Sequence, residues 1–292
     1  MDGELLRALY HELFDSESLA ARARFRYGDA IILWIHFIAV IHDRSHLWAH
    51  DKRNWPIWCR RLPRPSYSQL MRRTKSAAFQ GQVNLMNTRC RDMLSRSAEK
   101  VVDGKALTVG VYSKDPDARF GRLSNEAWAC GYKLHAIVDS CGAIDAFAVT
   151  GLNSGESAVA RTLVSAVDLR NTILRGDANY DAGPLYACVA SAGGRLVAPR
   201  RKPGTSLGHR PHHPHRLQAI AELETQSMGA TRHKRHRIRV EQAFGHLTNL
   251  SYGLAPLPNW VRRQHRVERW ITAKIVLYHL HLAFKKRAQL AA

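Results

Sequence analysis

The sequence predicts a mixed α/β protein, helical up to about residue 97 and then built around a mixed sheet flanked by helices. Three observations predict it. With 292 residues, 45% of them apolar, the chain can bury one sizeable core, or one core plus a smaller domain. Before about residue 97 the apolar residues recur at steps of three and four, and beyond it they fall in short runs separated by Gly-containing turns. The second part reads as three strands, then helix, strand, helix and strand, an order that needs helices on the faces of a mixed sheet.

Leu5, Leu9 and Leu13 mark a first helix, and the apolar run Ala30 to Ile41 a second. That run is about twelve residues long and contains His36, too short to span a bilayer, so it reads as a buried helix. Trp55 to Pro65, rich in Pro and Trp, is an irregular connection. Ser66 and Ser68 are caps for a short helix through Arg73, and Phe79, Val83, Met86, Cys90 and Met93 define an amphipathic one. Its basic neighbours, among them Arg72, Lys75, Arg89 and Arg96, either meet a polyanion or form a solvated face.

From about Ala98 the period changes. A Val-Val-Asp-Gly turn is expected before a strand at Leu107 to Val111, and strands Tyr132 to Val138 and Ile144 to Thr150 form a hairpin through Ser-Cys-Gly. A helix over Ser154 to Leu169, a strand Thr172 to Arg175 ending at Gly176-Asp177, a helix near Leu185 to Ala192 and a strand Arg195 to Ala198 follow. Residues 200–216, with Arg200-Arg201-Lys202 and the His-rich run His209 to His215, make a basic loop. Helices are expected at Arg216 to Gln226, Thr231 to Leu250 and Arg266 to Lys286, the last carrying the stripe Val267, Ile271, Ile275 and Tyr278.

An excess of 44 Lys and Arg over 24 Asp and Glu, with a pI near 10.3, suits a phosphate-rich partner, because each neutralised phosphate releases a condensed counterion. Nucleic acid is the partner expected. The five cysteines lack Cys-x-x-Cys spacing, so neither a disulfide framework nor a thiolate zinc site is signalled. The opening Met-Asp-Gly-Glu has no signal-peptide pattern, and the expected location is cytoplasmic, away from any membrane.

Against this basic background three carboxylates stand at the ends of apolar runs: Asp103 in Val-Val-Asp-Gly, Asp177 in Leu-Arg-Gly-Asp-Ala-Asn-Tyr and Glu241 in Arg-Val-Glu-Gln-Ala-Phe. Phosphodiester chemistry needs an attacking oxygen activated and a leaving oxygen stabilised, which two divalent cations about 3.5–4 Å apart can do. Magnesium prefers carboxylate oxygens, and without metal three such charges repel one another. Arg237, one helical turn before Glu241, shares its face and suits a phosphate clamp.

In these pieces the chain resembles the DDE transposases of bacterial insertion sequences, a group with a ribonuclease-H-like catalytic core. The matching segments are Val-Val-Asp-Gly-Lys-Ala-Leu-Thr-Val, the hairpin Gly-Tyr-Lys-Leu-His-Ala-Ile-Val-Asp with its following Gly-Ala-Ile, Gly-Asp-Ala-Asn-Tyr-Asp, and Arg237-x-x-x-Glu241, over about residues 98–285. The resemblance implies a helical region at 1–97 that binds DNA ends and a catalytic domain over 98–292. It implies that Asp103, Asp177 and Glu241 hold two Mg2+ ions, with Mn2+ as substitute, and that cleavage at element ends is followed by strand transfer into target DNA. Arg237, Lys234, Arg200, Arg201 and Lys202 would contact DNA, with a homodimer or larger assembly when two ends are synapsed. The family's third motif often has Tyr where Lys234 stands and Lys where Thr248 stands, and its Asn-x-His-Asp appears as Asn153-Ser154-Gly155-Glu156. Two alternatives share these residues: a nuclease that stops at hydrolysis, and a DNA-binding protein that has lost catalysis.

Other groups compete for the same roles. Asp117 is the main rival to Asp103, Asp139 reads as a turn former and Asp181 as a helix cap. The His-rich run is read as a flexible basic loop in preference to a zinc site. His135 reads as a core or supporting histidine, Trp128 and Trp270 as packing, and Trp260 as packing or a platform for an unpaired base.

Overall fold

The buried run Ala30 to Ile41 becomes the centre of a helical unit, and the strand pattern after residue 95 becomes a separate sheet unit. The structure, a computed structural model, describes residues 2–15, 27–110, 112–123, 127–209, 211–225, 228–254 and 257–291. Val111 of an expected strand, Arg210 of the His-rich run and Gln226 at an expected helix end lie outside them.

The helical unit begins with α1 (Asp2–Phe14), α2 (Asp29–Ile41), α3 (His46–His50), α4 (Tyr67–Thr74) and α5 (Ala77–Asp92). Every residue of α2 from Ala30 onward is buried, so this helix has no solvent face and is wrapped by the others. Two short 3-10 turns, Lys52–Asn54 and Ile57–Cys59, fill the Pro-rich connection. Ser66 caps α4 in a capping box with Gln69, and Ser76 caps α5 through the Phe79 amide, so two of the orphan donors at those helix starts are satisfied locally.

The sheet unit follows as β1 (Glu99–Thr108), β2 (Arg119–Arg122), β3 (Trp128–Asp139), β4 (Ile144–Gly151), α6 (Glu156–Val164), β5 (Ile173–Arg175), α7 (Gly183–Ser191), β6 (Arg195–Val197), α8 (Pro214–Glu224) and α9 (Gly229–Asn249). β3 is antiparallel to β1 on one edge and to β2 and then β4 on the other, while β1, β5 and β6 run parallel. Four antiparallel strands extended by two parallel ones make the mixed, ribonuclease-H-like sheet expected. Val102, Leu174 and Leu196 of the sheet pack with Leu163 of α6 and Val189 of α7, each such side chain contributing about 1.5–3 kcal/mol when fully buried.

Several expectations change here. Val-Val-Asp-Gly is not a turn: β1 runs straight through it, with Asp103 opposite Ala136 and Gly104 opposite His135, because the long ladder with β3 overrides the local turn preference. The close approach of those strands needs Gly131, where a Cβ would lie 2.3 Å from the Leu107 carbonyl oxygen. β2, a four-residue strand with one buried position, had no periodic signal. The helix expected over Ser154 to Leu169 ends at Val164. Trp128 is 68% exposed rather than packed.

The last helix, α10 (Gln264–Ala291), packs on α1, α2 and α5, so residues 249–292 belong with 1–94 in the helical unit. The sequence-based boundary carried the second domain to the C-terminus. Periodicity shows that Val267, Ile271 and Ile275 share a buried face, but not which partner covers it. Among the described residues no helix is long and apolar enough to cross a membrane.

Candidate active site

Asp103 and Asp177 meet through the sheet. β1 and β5 are parallel neighbours with Val101 opposite Arg175, so Asp103 and Asp177 each follow two residues after the last shared pair, and both line one cleft. β5 stops at Arg175, and the Asp177 side chain caps the turn Ala178–Tyr180 by accepting the Asn179 N–H at 2.7 Å. Gly176 allows this tight exit, since a Cβ there would lie 2.7 Å from the buried Tyr180 ring. Asp103 accepts the Gly104 N–H at 2.8 Å.

Burial first, with the Asp177 charge adding to it, pushes the Asp103 carboxyl up to about 6 against the Gly104 hydrogen bond. Asp177 is raised by burial and by Glu156, while Asn179 and Arg237 pull it down. The two carboxylates therefore sit in a site that disfavours their charge, the condition a bound cation relieves.

Both face a cleft of about 1040 Å3 within the sheet unit, which Glu241 and Arg237 line from α9. Val240, Ala243, Phe244 and Leu247 form the buried stripe of that helix, and Arg237 and Glu241 line the cleft beside it. Glu241 is the exposed member of the three carboxylates. Among the described residues no three Asp, Glu, His or Cys side chains close on one point as a metal cage. The donor set fits a divalent cation at Asp103 and Asp177, two mutually repelling oxygen ligands beside open space, and Glu241 supplies a third carboxylate to the same cleft.

A fourth carboxylate was not singled out from sequence. Glu156, in the first turn of α6, accepts from Lys133 Nζ at 3.0 Å and acts electrostatically on both Asp103 and Asp177. Its signal was its place, at the acidic end of the stretch after the hairpin. Lys133 lies on β3 and turns toward the same cleft.

The basic residues divide. Arg237 and Arg201 line the cleft, and Arg201 also donates to the Asn179 carbonyl at 2.8 Å. Arg200 is engaged by Glu224 at 2.6 Å, while Lys202 and Lys234 are exposed and do not line the cleft. Arg122 and Arg161, not picked out from sequence, do line it. Thr248 donates back to the Phe244 carbonyl at 2.6 Å and brings no charge.

The rivals have other roles. Asp115 accepts from the buried Tyr132 hydroxyl at 2.6 Å and takes the Asp117 amide, and neither Asp lines the cleft. Asp139 does form its turn, accepting the Cys141 N–H at 2.7 Å. Asp181 is not a helix cap: Ala182 holds that position, and Asp181 instead accepts Arg216 at 2.6 and 2.8 Å. His212 pairs with the Leu207 carbonyl and His213 caps α8. His135 contacts Thr150 Oγ1 at 2.9 Å, a supporting position.

A profile of the transposase DDE domain matches residues 99–280. Among solved structures the chain is similar to the piggyBac transposase in its synaptic complex with hairpin DNA, at 12% identity and a TM-score of 0.53, covering 99% of this chain and 73% of that one. It also aligns with the Mos1 transposase paired-end complex at 12% identity and a TM-score of 0.25, over 85% of this chain and 77% of that one, too loose a likeness to argue from. No curated protein sequence matches. The first structural likeness is one of fold alone. With more than half of its length matched by that profile, the chain belongs to the transposase DDE domain family.

Proposed function

We propose that the protein is a metal-dependent DNA-strand transferase that cleaves the ends of its own mobile element and joins them to target DNA. The observation that carries this reading is the pair Asp103 and Asp177, brought side by side from residues far apart in the chain, half-buried, mutually repelling and open to a cleft with a cationic rim. At about 1040 Å3 the cleft is at the upper end of small-molecule sites, suited to a stretch of polymer.

In this reading Asp103 and Asp177 hold divalent metal, with Glu241 completing the set from α9. Bound magnesium or manganese supplies the charge that activates an attacking oxygen and stabilises a leaving one. Arg237 and Arg201 hold the phosphate by paired N–H donors, which fixes it in line with the carboxylates. Lys133 neutralises Glu156 and so limits the negative charge a phosphate meets on entry. Handling two ends together implies a dimer or larger assembly bound to DNA, and we place its action in the cytoplasm.

Asp177→Asn tests this. The variant should lose metal-dependent cleavage by at least about a thousandfold, the scale of a removed catalytic group, while keeping DNA affinity within about threefold. Undiminished cleavage would remove Asp177 from the reaction. With labelled element ends and a plasmid target, joined products support transfer and nicks alone support a nuclease. The open spacing of the three expected ligands favours one further reading, a DNA binder without catalysis. Strand scission by the purified protein with Mg2+ or Mn2+ would eliminate it.

A further inference from the structure

A second cavity, of about 180 Å3, lies wholly within the helical unit. Among the described residues three cations line it, Lys75 just after α4 and Arg266 and Arg269 of α10, and no Asp or Glu does. The ring of Trp260 stands at its wall, 36% exposed, with its N–H directed to the Asp43 carbonyl at 3.4 Å and its ring in a T-shaped contact with His46. His36 and His46 form part of the lining, joined by a 2.9 Å contact between His36 Nδ1 and His46 Nε2. The other nitrogen of His36 is buried without a hydrogen-bond partner.

The cations crowd one another here. Burial lowers Arg269 and Arg266 lowers it further, with Glu268 acting against both. His46 is pushed down to about 4 by burial, then by Arg269 and Arg266, so the two imidazoles are neutral and the guanidinium groups dominate the local potential. A volume of about 180 Å3 is below the usual small-molecule range and suits one charged group rather than a whole cofactor. Cations beside an aromatic face are the common equipment for a nucleic-acid backbone.

We propose that this cavity seats a single phosphodiester group of DNA, met by Lys75, Arg266 and Arg269, with Trp260 against the adjoining nucleotide. The assignment rests on DNA being the partner, as proposed above, and adds where in the helical unit the backbone is held. An acidic peptide would meet the same cations, but the chain's net charge of +20 and the family to which it belongs favour the nucleic acid.

The test is DNA binding by the full chain across a salt series, with no divalent ion present so that cleavage plays no part. Lys75 and Arg266 are both exposed, so K75A/R266A keeps the fold, and R61A/R64A removes two exposed arginines of the same unit that do not line the cavity. In K75A/R266A the slope of log affinity against log salt should fall by about one and the affinity by about tenfold near 0.15 M salt, with the control pair losing much less. Equal losses in both pairs would mean diffuse charge, and an unchanged slope in K75A/R266A would overturn the site. Inorganic phosphate that raises the wild-type Tm but not that of K75A/R266A, with the DNA slope unmoved, would give the cavity to a free anion and likewise overturn the DNA assignment. Wild-type protein that binds no DNA would defeat the functional reading itself, whereas intact binding with an unmoved slope defeats the cavity alone.

Discussion

Arg175→Met tests how the fold holds Asp103 and Asp177 together. Arg175 is wholly buried near the end of β5, paired with Glu99 of β1 at 2.9 Å and with Glu222 of α8 at 3.2 Å, and Glu222 also takes Arg195 at 2.6 Å. It thus ties the strand leading to Asp177 to the strand carrying Asp103, opposite Val101 in their shared register. Methionine keeps most of the stem and loses the guanidinium. Breaking a buried pair costs about 3–5 kcal/mol when a charge is stranded. Here Glu222 keeps Arg195 and Glu99 is 25% exposed, so the cost falls to or just below the bottom of that range, about 2–3 kcal/mol. At about 2–4 °C per kcal/mol, Tm should fall by about 5–10 °C in thermal unfolding followed by circular dichroism. A double-mutant cycle with Glu222→Gln should show coupling of about 1 kcal/mol or more. Arg170→Met, at an exposed arginine paired with exposed Asp168, is the control and should leave Tm unchanged. A wild-type Tm for Arg175→Met, or no coupling to Glu222, would refute the claim that this network fixes the two strands.

Three further outcomes follow from the same structure. Gly131→Ala should destabilise by about 2–4 kcal/mol in urea unfolding, since its Cβ would meet strand backbone, whereas Gly81→Ala in α5, with nothing within 4 Å, should be neutral or stabilise by up to about 1 kcal/mol. Glu156→Gln removes a charge that raises both Asp103 and Asp177, so the acid limb of the cleavage pH profile should move to lower pH; an unmoved limb would separate Glu156 from the site. His36 and His46 are depressed in the folded protein, so the unfolded chain takes up protons first as pH falls below 6.5. Their contribution is full above pH 6.5 and is lost toward about 4, and Tm measured at pH 5 should lie below that at pH 7, by less in His46→Gln.

What the residues announced in advance, and what they withheld, divides along the range of the interaction. Asp177 was readable because Ile-Leu-Arg-Gly-Asp is a strand with its exit, and Arg237 with Glu241 because a helical turn joins them. Asp103 was found by its apolar flanks while its local structure was misread, since Asp-Gly is a turn signal until a ladder on β3 contradicts it. Arg175 with Glu99 and Glu222, Lys133 with Glu156, and α10 with α5 are pairs whose members are far apart in sequence, and periodicity has nothing to say about them. Of these, Lys133 with Glu156 bears directly on the electrostatics of the cleft. Asp103 is raised chiefly by burial, on a strand that β3 borders at Ala136 and that β5 borders up to Val101. A carboxylate of the same local sequence on an edge strand would stay solvated, keep an ordinary proton affinity and attract a cation weakly. The strand register, more than the motif, is therefore what turns Asp103 and Asp177 into a site that demands a counter-charge.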